Sequence, residues 1–167
     1  AVQWAHRSGA TVIATASNAV DNAACREAGA DHVVAHRAGE FARQVLDASK
    51  GAPIDRVLDL EFGTNLPVSV EVLKVGGTIA AYGSAREPEP VLPFYPMMYK
   101  DLTVRMIIVY AMPVSAKDHA VADINSALAH GWLRHRVART MPLEDIAVGN
   151  EIVEAGDARG AVILNIA

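Results

Sequence analysis

The sequence predicts an α/β fold built on a doubly wound parallel sheet. From Thr11 to Tyr110, apolar runs of strand length alternate with amphipathic runs of helix length, the signature of parallel strands joined by crossover helices. Gly9, Gly29 and Gly51 stand where the helical runs stop, as left-handed C-terminal residues do. A content of 51% hydrophobic and 20% charged residues in 167 gives enough apolar material for one substantial core, or one domain and a remnant of another.

The elements follow in order. Val2, Trp4 and Ala5 mark one face of a short helix ending at Gly9. Thr11 to Ala16 reads as a strand, Ala19 to Ala28 as a helix, His32 to Ala35 as a short strand and Glu40 to Ser49 as a helix. Arg56 to Leu60 is the third strand, Leu66 to Leu73 a helix ending before Gly76-Gly77, and Thr78 to Tyr82 a buried strand. Pro88, Pro90, Pro93 and Pro96 describe an irregular loop from Ser84 to Pro96. Leu102 to Tyr110 restores a strand, Lys117 to His130 a long helix, and Val137 to Thr140 an extended piece. Pro142 starts a helix over Leu143 to Ala155, and Ala161 to Ile166 closes the chain as a strand. The tail after Gly131 either extends the main sheet or belongs to another domain, and periodicity does not choose between them.

A net charge of −4 and scattered basic residues give no electrostatic reason to expect nucleic acid or an anionic membrane as partner. The single cysteine, Cys25, has no internal partner, which is compatible with a reducing compartment. No apolar run is long enough for a membrane span and no secretion signal is evident, so a cytoplasmic protein is expected. No metal is expected either: His6, His32, His36, His119, His130 and His135 show no paired spacing on a helix face. The chain has no Gly-x-Ser-x-Gly elbow of a serine hydrolase.

Ligands of open parallel sheets gather beyond the carboxyl ends of the strands. Those positions are Ser17 and Asn18, His36 and Arg37, Glu61 to Asn65, Gly83 to Ala85, and the Val109-Tyr110 turn. Each also has a purely structural role available. Ser17 and Asn18 are good helix caps, His36 in isolation reads as a surface histidine, and Gly76-Gly77 reads as a helix stop. Asp59 and Glu61 fall on one face of a strand, with no evident acid-base partner.

The order and spacing of several segments resemble the cofactor-binding half of the medium-chain dehydrogenase/reductase superfamily, and within it the zinc-independent quinone oxidoreductases related to zeta-crystallin. The carriers are Ala-Val-Gln-Trp-Ala-x-x-x-Gly-Ala-Thr-Val-Ile-Ala-Thr-Ala-Ser, Ala-Gly-Ala-Asp-His-Val-Val-Ala-His-Arg, Ile-Asp-Arg-Val-Leu-Asp and Leu-Lys-Val-Gly-Gly-Thr-Ile-Ala-Ala-Tyr-Gly-Ser. Gly-Trp-Leu, Pro-Leu-Glu-Asp-Ile-Ala and Ala-Arg-Gly-Ala-Val-Ile-Leu complete them. The resemblance implies a Rossmann-type sheet that lacks its first strand and glycine-rich turn, with a gap where that strand belongs. It divides the chain into a truncated dinucleotide-binding domain, residues 1–133, and residues 134–167, a C-terminal segment returning to an absent catalytic domain. The expectation is a fragment of a longer protein, inactive by itself.

The same resemblance places Ser17, Asn18 and His36 at the adenosine end of a cofactor, and Asn65, Tyr82, Gly83, Ser84 and Ala85 as further contacts. Ile107, Ile108 and Val109 match a strand end whose backbone meets the nicotinamide amide. Ser17 stands where an acid would bind the ribose hydroxyl of NAD, so NADP is implied, although Asp21 opposes a phosphate. The intact parent would transfer hydride to a small quinone or activated alkene, with its catalytic residues unassigned, and would form a homodimer through the edge strand 104–110. Two alternatives stand beside this: the cofactor half of a zinc-dependent alcohol dehydrogenase, and a non-catalytic nucleotide-binding or dimerisation module.

Overall fold

The computed structural model describes residues 1–35 and 40–166. It forms two compact units, Ala1–Asp118 and His119–Ala167. The first contains α1 (Val2–Arg7), β1 (Ile13–Ala16), α2 (Ala19–Glu27), β2 (His32–Ala35), α3 (Phe41–Ala48), β3 (Ile54–Asp59), α4 (Phe62–Val72), β4 (Leu73–Ala81), α5 (Phe94–Tyr99) and β5 (Thr103–Met106). The boundary falls within α6 (Val114–Ala129), and β6 (Val137–Pro142), α7 (Ile146–Glu154) and β7 (Ala161–Asn165) follow. Among the described residues the tail does not extend the main sheet: β6 and β7 pair only with each other, in parallel.

In the first unit β1 pairs with β2, and β3, β4 and β5 form a second sheet with β4 in the middle, all pairs parallel. The core has two centres. Phe62, Leu66 and Val70 of α4 pack with Leu73, Ile79 and Ala81 of β4, while Val34, Ala42, Val45 and Val72 form the other cluster across β2, α3 and α4. Spacing explains α4: its buried residues 62, 66, 69, 70 and 72 recur at helical intervals and face the sheet. Beside it, β4 buries residues 77, 79 and 81 in strict alternation.

The sheet gap expected from the sequence is present. Among the described residues sheets β1-β2 and β3-β4-β5 share no ladder, and a cavity of about 640 Å³ is lined by Ile13 to Thr15 and by Arg56 to Glu61. Residues of α1, α3 and α4 complete its walls.

Several boundaries differ from the sequence reading. Helix α4 starts at Phe62 rather than Leu66, because burying Phe62 outweighs the one intrahelical bond that Pro67 removes. Gly76-Gly77 does not stop a helix but lies inside β4. The backbone turns extended at Leu73, which pairs with Ile54, and the residues before Thr78 bulge out of register. The bulge needs φ +73° at Gly76, whose N–H donates to the Lys100 carbonyl at 2.8 Å. Helix α5 was hidden among prolines; Pro96 sits in its first turn, where a missing N–H costs nothing. Strand β5 ends at Met106 instead of Tyr110, with a tight turn over Val109–Ala111 in place of further ladder.

Lys100 locks α4 to the sheet. Its ammonium donates to the carbonyls of Val70 at 2.7 Å, Glu71 at 2.8 Å and Leu73 at 2.8 Å, the acceptors left over where the helix ends. Lys100→Met should therefore destabilise the chain by about 2 kcal/mol, read as a lower urea midpoint. At the exposed start of β3, the Lys74 ammonium hydrogen-bonded to Asp55 holds that carboxyl below its ordinary value. A depressed carboxyl pKa stabilises the fold above the unfolded value, and that contribution fades as pH falls through the folded one. NMR titration should find the Asp55 carboxyl low, and Lys74→Met should raise it.

Candidate functional site: the carboxyl ends of the strands

Three neighbouring strands end together, at Asp59, Ala81 and Met106, and backbone hydrogen bonds continue beyond their ladders. Tyr82 N–H donates to the Asp59 carbonyl at 3.0 Å, Phe62 N–H to that of Gly83 at 3.0 Å, and Ile107 N–H to that of Ala81 at 2.8 Å. A Cβ on Gly83 would lie 2.5 Å from the Leu60 carbonyl oxygen, so only glycine lets these two strand ends close.

The next residues fold back onto the start of α4. Gly63 N–H donates to Ser84 Oγ at 2.9 Å, the Ser84 hydroxyl donates to the Glu87 carbonyl, and Arg86 N–H donates to Glu61 Oε1 at 2.7 Å. Glu61 and Asp59 thus serve separate backbone donors and form no acid-base pair. Asp59 is 5% exposed; its Oδ1 accepts Glu61 N–H and Asn65 Nδ2, both at 2.9 Å. Its Oδ2 is buried and meets no donor among the described residues.

At the end of β1, Asn18 caps α2. Its Oδ1 accepts Asp21 N–H at 2.9 Å, and its Nδ2 donates to Asp21 Oδ2 at 2.7 Å. Ser17 adjoins it, with Oγ 3.5 Å from the Asn18 amide. The fold therefore gathers Asn65, Tyr82, Gly83, Ser84 and Ala85 around the ends of β3 and β4, and brings Ile107 to β4 with Ile108 and Val109 more than half exposed beyond it. Asn65 and Tyr82 line the cavity together with Thr15 of β1, while His36 lies outside the described residues. Among the side chains singled out from the sequence, Asn18, Asn65 and Ser84 already hold local structure. Sequence reasoning weighed Asp59 only as half of a carboxylate pair with Glu61, and missed its buried place under the start of α4. Its signal was a carboxylate ending an apolar strand with an asparagine six positions on, and only tertiary burial makes it distinctive.

Among the described residues no three His, Cys, Asp or Glu side chains form a group that could hold a metal ion, and no helix is long and apolar enough to cross a membrane.

Comparison with known proteins agrees with this architecture. Residues 1–126 match the model of the zinc-binding dehydrogenase family. The chain is 28% identical to a 2-haloacrylate reductase from Burkholderia sp and 26% identical to a quinone oxidoreductase from Sus scrofa, covering 98% of itself and 50% of each relative. It spans about half the length of these relatives. Among solved structures, it superposes on an NAD-dependent alcohol dehydrogenase with a TM-score of 0.84 at 25% identity, covering 99% of this chain and 47% of that one. The match to mycobacterial Rv1454c complexed with NADPH has a TM-score of 0.82 at 25% identity, over 99% and 52% of the two chains. Parallel strand ends, the gap beside β3 and a family match over most of the sequence converge: the chain belongs to the zinc-binding dehydrogenase family and has the fold of the cofactor-binding half of medium-chain dehydrogenases/reductases.

Proposed function

We propose that this chain is the cofactor-binding half of an NADPH-dependent oxidoreductase that reduces a quinone or an activated alkene. The observation that carries the reading is the row of parallel strand ends, with Ser17 uncharged after β1 and the exposed Ile108-Val109 surface after β5. Relatives named 2-haloacrylate reductase and quinone oxidoreductase, and a structural neighbour complexed with NADPH, support the class of reaction and of cofactor.

The residues present fit such a dinucleotide at its two ends. Tyr82 is half exposed beside the cavity, and residues 107–109, with Ile108 and Val109 more than half exposed, offer an apolar face for a planar ring. NADPH, when bound, supplies the hydride. The protein's own part is orientation: Ile107 to Val109 would hold the nicotinamide end, and Asn65 with the 82–85 turn would hold the middle of the cofactor. Ser17, Asn18 and His36 take the adenosine end. There Ser17 leaves room for a ribose phosphate that a carboxylate would repel, and the bond from Asn18 holds the Asp21 side chain. In the same reading residues 134–167 form the segment that returns toward a catalytic domain.

Self-association is favoured by one separate feature. Among the described residues strand β5 pairs only with β4, and Phe94, Tyr95 and Tyr99 of the preceding helix α5 are each more than 60% exposed. We assign this edge to a homodimer contact.

Two measurements test these readings. Fluorescence titration should find NADPH bound more tightly than NADH, and Ser17→Asp should weaken NADPH by tenfold or more, about 1.4 kcal/mol; equal affinities before and after the substitution would remove the NADP assignment. Because the Ile107 N–H points to β4, alternation turns that of Met106 outward. Met106→Pro should therefore convert a dimer seen by light scattering into a monomer, without loss of the β4 ladder.

A further inference from the structure

We infer that the start of α4 and the turn after β4 cap each other reciprocally, and that Gly63 and Glu61 are thereby positioning residues for the cofactor contacts at 82–85. The inference rests on the proposed function, since it takes those residues as cofactor contacts, and it adds what sets their place.

A helix begins with N–H groups that have no acceptor inside it, and the side chain just before the first turn ordinarily takes one of them. Helix α4 lacks that local cap: Glu61 stands at the position, and its side chain makes no capping bond to the helix. The acceptor comes from 21 residues further along the chain, where Ser84 Oγ takes the Gly63 N–H at 2.9 Å. Glu61 turns the other way, its Oε1 taking the Arg86 N–H at 2.7 Å. A capping box exchanges two such bonds within one helix start. Here the exchange joins two segments, so each holds the other in place. Glu61 and Ser84 are also bridged antiparallel, and Phe62 N–H donates to the Gly83 carbonyl at 3.0 Å.

Gly63 decides how closely the two segments lie. A Cβ there would run into the Glu87 carbonyl oxygen, and would come within 2.6 Å of Glu87 Cβ and 2.8 Å of its Cγ. The first obstacle is backbone, which cannot swing aside as the end of a side chain can. It is also the carbonyl to which the Ser84 hydroxyl donates, so displacing it disturbs the same cap.

Composition points the same way. Gly63, Thr64, Asn65 and Pro67 are all poor helix formers, gathered in the half of α4 that meets the turn. Such conflicts between local preference and adopted structure concentrate at functional sites. What the arrangement provides is a turn already ordered before a cofactor arrives, so that binding need not order it.

The test uses the 167-residue chain, with NADPH affinity from fluorescence titration, hydrogen exchange at the Arg86 amide, and the urea midpoint. Gly63→Ala pushes the turn away from the helix. Glu61→Ala removes the acceptor of Arg86 N–H, whereas Glu61→Gln keeps an accepting oxygen. We expect Gly63→Ala and Glu61→Ala to speed exchange at Arg86 and to weaken NADPH fivefold or more, and Glu61→Gln to restore both. The urea midpoint of Glu61→Ala should match that of Glu61→Gln, which separates positioning from a general loss of stability. Unchanged exchange at Arg86 in Gly63→Ala would overturn the reciprocal cap. Faster exchange with unchanged NADPH affinity in Gly63→Ala and Glu61→Ala would overturn the positioning role, and so would equal loss in Glu61→Gln and Glu61→Ala. A wild-type chain that does not bind NADPH would remove the cofactor reading and the positioning role together, while exchange still decides the cap. The NADP preference read through Ser17 is measured on its own variant, and its failure touches neither.

Discussion

Strand β4 is the constraint on which the first unit turns. Flanked by β3 and β5 and covered by α4, it places Ile79 at 0% exposure, and the bonds of Tyr82, Ile107 and Gly83 at its carboxyl end hold the neighbouring strand ends level. The chain must reverse from α4 directly into β4 at Leu73. Lys100, reaching back to three carbonyls, satisfies the helix end where that reversal leaves acceptors bare. Central burial thus determines how the rim beyond it is arranged.

The same physics works against the fold on the other side of β3. Parallel strands are stable when buried on both faces and paired on both edges, and β1 and β3 each have one edge without a ladder partner. The apolar walls of the cavity, the exposed Leu58 and Leu60, and the Asp59 oxygen that meets no donor among the described residues all lie beside β3. A buried polar atom without a partner costs about 1 to 3 kcal/mol, and Asp59 Oδ2 is such an atom among the described residues.

Around the strand ends, structural and functional demands compete for the same side chains. Asn18 spends its amide on a helix cap and on Asp21, and Ser84 ties its turn to α4. This economy follows from the fold. Strand ends and helix starts coincide in a doubly wound sheet, so a residue placed to meet a ligand is also placed to satisfy the orphan N–H groups of a helix. What these caps and turns leave exposed beyond the strand ends is chiefly the segment at Ile108 and Val109, each more than half exposed.

The amino-acid sequence by itself determined the α/β class, the order of strands and helices, and the glycines that end helices, because periodicity and left-handed φ are local properties. The glycine after α2, with φ +97°, was legible for that reason. Family segments fixed the strand-end positions, Ser17, Asn65 and Tyr82 to Ala85 among them, and the gap beside β3. Tertiary structure decided what depends on distant partners. Leu73 ends α4 as an extended residue because Ile54 pairs with it, β5 stops at Met106, and the tail builds its own two-stranded sheet. It also decided Asp59, an ordinary carboxylate in sequence whose Oδ2 packing buries away from every donor among the described residues.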